Sequence, residues 1–184
     1  MLFRKNSLVG FFRKSFYIFG TMQILTDKQI DQKINRLAIE ILENNLNEQE
    51  LILAGINNNG MHFAELLMNA ILEITNKEIT ITRIKLNPAK PVSEEILIEM
   101  PVKDLNKKVL VIIDDVANTG RTIFYAFKPL MDSLLKKIEV AVLVDRTHKS
   151  FPIKVDYCGQ ELATTLQQNI KVEIKGVKKA VYLE

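Results

Sequence analysis

Apolar residues recur three and four positions apart from Ile30 through Ile34, Leu37, Ala38 and Ile41 to Leu42, and Thr26 with Gln29 forms a capping pair ahead of them. This spacing predicts an amphipathic helix over 27–45. The period then changes. Leu51-Ile52-Leu53-Ala54-Gly55-Ile56 is a short unbroken apolar run, as a strand buried on both faces requires, and Asn57-Asn58-Asn59-Gly60 ends it in a loop. Helical spacing returns in Phe63, Leu66, Leu67, Ala70, Ile71 and Ile74, and a further strand over 78–86 completes a βαβ crossover.

Residues 87–107 interrupt the alternation with Pro88, Pro91, Pro101 and mixed charge, so a long mobile loop of the kind that covers a site is expected. Beyond it the pattern gives a strand Val109–Ile113, a loop Asp114–Gly120, a helix from Arg121 to Lys136 kinked at Pro129, and a strand Ile138–Val144. Short strands follow near 154–158, 170–174 and 179–183, the last two joined as a hairpin through Lys175-Gly176. The fold class is therefore α/β: a doubly wound, mainly parallel sheet with an N-terminal helix and a small C-terminal β appendage.

Composition narrows the field. Over 184 residues, 47% apolar and 26% charged side chains suit one globular domain, and no run is long and apolar enough to span a bilayer. The single Cys158 excludes an intrachain disulfide framework and a thiolate metal site, so a cytoplasmic protein is expected. A net charge of +3, from 25 basic and 22 acidic residues, is too small to point to nucleic acid, while anionic small molecules fit. Residues 1–21 stand apart, with Arg4, Lys5, Arg13 and Lys14, no acid and many Phe. They are expected to form a loose basic aromatic tail ahead of one domain over 22–184; a segment lying on an anionic surface is the other reading.

The chemistry concentrates between Val109 and Thr122. Asp114 and Asp115 stand at the carboxyl end of a buried strand, where open α/β sheets bind ligands. The following residues, Ala117, Asn118, Thr119, Gly120, Arg121 and Thr122, offer small polar groups, a glycine and a cation at the mouth of a helix, which suits a phosphate. A phosphate would repel adjacent acids unless these face hydroxyls or a divalent cation, so a phosphorylated sugar with Mg²⁺ satisfies both halves. A strand ending in Asp-Asp can also simply cap the next helix or form an acidic pocket.

A hydrophobic run, two acids, two variable residues and Asn118-Thr119-Gly120-Arg121-Thr122 resemble the diphosphosugar-binding signature of type I phosphoribosyltransferases. With Ala141–Lys149 and Pro152–Gly159, the chain over 24–184 resembles the pyrimidine operon attenuation regulators that double as uracil phosphoribosyltransferases. The resemblance implies transfer of ribose 5-phosphate from phosphoribosyl diphosphate to uracil, giving UMP and diphosphate, with Mg²⁺ as cofactor. It also implies a homodimer and, in some members, RNA binding. Carried across, Asp114 and Asp115 hold the ribose hydroxyls and support Mg²⁺, Ala117 to Thr122 cradle the 5-phosphate, and Asn57, Asn58, Asn59 and Gly60 face the diphosphate. Tyr157 and Cys158 fall where backbone groups of the family read the base, and Arg146 lies near.

Two departures from the family stand out. It commonly places basic residues where this chain has Asn57 and Asn59, and removing one contact to a leaving group can cost about 10²–10³ in rate. Hypoxanthine-type relatives place an acid where Asn118 stands, and an amide cannot act as a base at neutral pH, which disfavours 6-oxopurines. A non-catalytic nucleotide-sensing or RNA-binding regulator that kept the fold and the phosphate cradle is the alternative. Among the remaining candidates, His148 reads equally as a surface residue or an anion contact, while His62, at the first turn of a helix, reads first as a helix-surface residue and second as an anion contact. Cys158 has no paired base and reads as a small apolar side chain.

Overall fold

The computed structural model describes residues 21–163, 168–176 and 178–184. The tail reading falls on residues 1–20, outside the described part. Helix α1 (Asp27–Asn44) forms where its spacing predicts; Gln29 Oε1 accepts the backbone N–H of Thr26 at 2.9 Å, and Ile30, Ile34, Leu37, Ala38, Ile41 and Leu42 are all buried. Before it lies a strand the periodicity does not reveal, β1 (Met22–Leu25). The βαβ unit follows as β2 (Glu50–Ile56), α2 (Asn57–Leu72) and β3 (Glu78–Lys85). Ile74 lies past the end of α2 and is exposed.

The stretch 87–107 is not a bare loop. Ile96 and Leu105 are buried, a two-residue strand β4 (Leu97–Ile98) pairs antiparallel with β3, and Val102–Leu105 forms a 3₁₀ turn. Next come β5 (Val109–Ala117), α3 (Arg121–Ala126) and β6 (Lys137–Arg146). The helix foreseen to Lys136 stops at Ala126 and gives way to a 3₁₀ turn at Lys128–Leu130, because Pro129 has no N–H to donate and its ring collides with the carbonyl four residues back. The chain ends in β7 (Tyr157–Leu162), β8 (Ile170–Glu173) and β9 (Ala180–Leu183).

Two sheets result. The larger has the order β4-β3-β2-β5-β6-β7 and is parallel from β3 to β7, while the smaller, β1-β9-β8, is antiparallel and contains the expected hairpin. Alternation along the strands divides the core. Leu51, Leu53, Val111 and Ile113 face α1 and α2, whereas Ile52, Ala54, Leu110 and Ile112 face α3, Leu86, Ile96 and Leu105. The sheet is doubly wound, and the chain reverses direction across it between β2 and β5, the place where such sheets open a crevice at their carboxyl ends.

Candidate active site

The residues at that crevice are shaped first by an abrupt passage from β2 into α2. Asn57 to Gly60 are the first turn of the helix rather than a loop. The change of direction falls on Asn57, whose φ of 50° is a left-handed value that Asn tolerates, and whose Oδ1 accepts the N–H of Leu86 at 3.0 Å. The helix start lies tight against the sheet: a Cβ on Gly60 would come 2.4 Å from the Ile113 carbonyl oxygen, and one on Gly55 2.4 Å from Met61 Cα. Only glycines allow this approach, and it leaves the free N–H groups of the first turn at the crevice.

Opposite stands the end of β5. Asp114 and Asp115 belong to the strand itself, which continues to Ala117, so the acids rest on rigid backbone instead of a loop. Asp114 is buried and its Oδ1 accepts the N–H of Asp115 at 3.0 Å. Burial, then the charge of Asp115, pushes the Asp114 carboxyl well above its ordinary range. Asp115 is half-buried, and its two oxygens accept from the Val116 N–H and from Asn59 Nδ2, each at 3.0 Å. Asp114, Asp115, Asn57, Asn58 and Asn59 thus line one cavity of about 490 Å³, together with Asn118 and Thr122. That volume suits a small ligand.

Residues Val116 to Ile123 enclose a smaller recess of about 40 Å³. Its bend lies at Gly120, where φ is 81° and a Cβ would strike Ile153 Cγ1 at 2.6 Å. Because α3 has only six residues, its dipole is small, and the backbone N–H groups of the turn are the donors on offer to an anion. The carbonyl of Thr119 is turned away from the recess, accepting the N–H groups of Ser150 at 3.0 Å and Phe151 at 3.1 Å. Phe151 is in turn packed on Phe124 and Tyr125, with ring centroids 5.4 and 6.2 Å away. The cradle is therefore braced from behind.

The three residues expected at the base are not brought together. Arg146 ends β6 beside the cradle and donates through Nη1 to Asn118 Oδ1 at 3.1 Å. Tyr157 starts β7 opposite Ala141, level with Ile113 of β5, but its side chain lies on the α1–α2 face, where it is 1% exposed and donates its hydroxyl to Glu139 Oε1 at 2.8 Å. Burial and Glu139 push that phenol up, so the Tyr157 side chain belongs to the core with a satisfied hydroxyl, and only its backbone is left for the site. Cys158 pairs with Val142 and packs in the α3-side core; burial, then Asp145, pushes its thiol up to about 11, which keeps it protonated. Neither side chain lines the cavity.

Lys175, Ile170 and Pro88 also line the cavity; the sequence marks Lys175 only as a turn residue, Ile170 only as part of a short strand and Pro88 only as part of a covering loop. Lys175 lies beyond β8, and only strand pairing carries it to the crevice. His62 lies on the first turns of α2 and contacts the Ile174 carbonyl through Nε2 at 2.8 Å and Glu65 through Nδ1 at 3.3 Å. His148 is exposed. Among the described residues no cluster of three or more His, Cys, Asp or Glu could hold a metal ion, so the protein offers two adjacent carboxylates at most. That donor set fits Mg²⁺, which keeps waters and substrate oxygens as most of its ligands. No helix among the described residues is long and apolar enough to cross a membrane.

Comparison with known proteins agrees with this geometry. Residues 20–176 match the phosphoribosyl transferase domain family. The chain is 32% identical over 169 residues to the bifunctional protein PyrR of Macrococcus caseolyticus, covering 88% of this chain and 97% of the relative. It is likewise 32% identical to PyrR of Clostridium acetobutylicum over 162 residues, 84% of this chain and 91% of that one. Among solved structures, the hypoxanthine phosphoribosyltransferase of Trypanosoma cruzi superimposes with a TM-score of 0.68 at 15% identity, covering 80% of this chain and 83% of that one. At such identity the likeness concerns the fold.

Proposed function

The chain belongs to the phosphoribosyltransferase family, alongside the PyrR proteins, and from that premise we propose that it transfers ribose 5-phosphate from phosphoribosyl diphosphate to a pyrimidine base. Uracil is the proposed acceptor, giving UMP and diphosphate. The observation that carries this reading is the cavity shared by the acid pair at the end of β5, the first turn of α2 and the near end of the phosphate cradle.

Each part has a task in the proposed reaction. The turn from Ala117 to Thr122 binds the 5-phosphate through backbone N–H groups and small hydroxyls. Asp114 and Asp115 accept hydrogen bonds from the ribose hydroxyls and hold the sugar still, so that its C1 faces the incoming base nitrogen. Mg²⁺ would be held by the same two carboxylates, directly or through water, and by the donor's own oxygens, and when bound it neutralises diphosphate charge. The bond from C1 to the diphosphate oxygen breaks, its electron pair stays on the diphosphate, and the base nitrogen bonds to C1 while its N–H proton passes to water or to the departing diphosphate.

The acceptor is argued from position 118. Asn118 Oδ1 already accepts from Arg146, and an amide here departs from the acid that hypoxanthine-type relatives place at this position for their purine, which supports a pyrimidine acceptor. One observation favours a second reading, a nucleotide sensor without turnover: the Asn57–Gly60 turn carries no basic side chain toward the leaving group. Isothermal titration with phosphoribosyl diphosphate, UMP and uracil tests the site. Mg²⁺-dependent binding of the donor is expected for the enzyme; binding of UMP but not of the donor would leave the sensor.

A further inference from the structure

The first turn of α2 has little left to offer a multiply charged anion except its backbone. Asn57 Oδ1 is occupied by the Leu86 N–H, and Asn59 Nδ2 is given to Asp115. Across the cavity stand two carboxylates, which oppose a diphosphate unless cations offset them. Lys175 is the one basic side chain among the described residues that line this cavity. Its ammonium takes part in no hydrogen bond or ion pair with the described residues, whereas the neighbouring Lys171 and Lys179 are paired with Glu173 and with Asp27 and Asp31. A cation left over beside two acids and a helix N-terminus is placed for an anionic ligand.

Its position is anchored. Ile174, the residue before it, is buried at 3% exposure in the core beneath α1 and α2, and Ile170 of the same segment lines the cavity. The Ile174 carbonyl can only accept, so His62 Nε2 carries the hydrogen of their 2.8 Å contact. Glu65, three residues on along α2, lies 3.3 Å from the other ring nitrogen. The helix whose first turn faces the leaving group therefore also holds the hairpin that carries the cation.

Resting on the reaction proposed above, we propose that Lys175 binds the diphosphate end of the donor, supplying from the C-terminal hairpin the positive charge that the Asn57–Gly60 turn lacks, with His62 as the residue that positions it. The ammonium donates to diphosphate oxygens in the ground state and faces the charge that grows on them as the C1–O bond breaks. The two contributions to the leaving-group site come from chain segments more than a hundred residues apart.

The test is isothermal titration of the full chain, wild type and the variants Lys175→Met and Lys175→Arg, with three probes: phosphoribosyl diphosphate with Mg²⁺, inorganic diphosphate with Mg²⁺, and UMP. Lys175→Met is expected to weaken both diphosphate ligands about tenfold or more and to leave UMP within about twofold, with Lys175→Arg close to wild type. His62→Ala is expected to lower diphosphate affinity in the same selective way, and His62→Gln, which keeps a donor for the Ile174 carbonyl, to restore it. Unchanged diphosphate binding in Lys175→Met, or equal losses for diphosphate and UMP, would overturn the role of Lys175 while the transfer reaction stands. Failure of the wild type to bind either diphosphate ligand would overturn both.

Discussion

Asp114 shows how one residue carries both the chemistry and its cost. It is a carboxyl buried at 8% exposure beside a second carboxyl, and burial, then Asp115, raises its pKa well above the ordinary value. The folded chain thus holds this proton more tightly than the unfolded chain does. Its stabilising contribution is fully present below the unfolded value of about 3.9 and is lost as pH rises through the folded value. Asp114→Asn removes that penalty, so its Tm should exceed that of the wild type at pH 7, by about 2–4 °C for each kcal/mol recovered, with the gain shrinking toward pH 4. The same variant should weaken Mg²⁺-dependent donor binding about tenfold or more, since it removes an anionic ligand. Calorimetry across pH, read beside titration at pH 7, checks both signs. A variant no more stable than wild type at pH 7 would mean that Asp114 is not a strained acid.

At the scale of elements, the site depends on two tight junctions, β2 into α2 and β5 into α3. Gly60→Ala would bring a Cβ within 2.4 Å of the Ile113 carbonyl and force α2 off the sheet, at about 1–3 kcal/mol. Gly120→Val combines a φ of 81° with a clash against Ile153, so it should lower UMP affinity through the 5-phosphate and leave free uracil binding little changed. Melting curves and paired titrations distinguish the two, and equal losses for UMP and uracil at Gly120→Val would place the phosphate elsewhere. These elements also show what a sequence discloses. The α1 face and the buried cores of β2, β5 and β6 are local patterns of period 3.6 or continuous apolar runs, so they are legible. The start of α2 is not, because Asn-Asn-Asn-Gly reads as a turn, and only packing on β5 makes it helical. Helix α3 ends at Ala126, short of the Lys136 its apolar spacing predicts, because Pro129 stops it. Strand β1 is four residues long, and its partner β9 lies at the far end of the chain.

For the whole molecule, the same division separates what was foreseen at the site from what was not. Asp114, Asp115, Asn118, Thr122 and the three Asn of α2 were legible because each sits at the end of a recognisable strand, and parallel strands bring their ends together at one edge. The Tyr157 side chain falls on the α1–α2 face of β7 and bonds Glu139, which leaves the backbone of this segment as the part able to face a base. Lys175 was invisible because its approach depends on the β1-β9-β8 sheet and on His62, both of them long-range. The measurement that bears most directly on the account is product analysis after incubating the full chain with phosphoribosyl diphosphate, Mg²⁺ and, separately, uracil, hypoxanthine and guanine. Formation of UMP and diphosphate from uracil, with the purines turned over at least about a hundredfold more slowly, is expected from an amide at position 118. Purine nucleotide formed faster than UMP, or no nucleotide from any base by a folded protein that binds UMP, would contradict it.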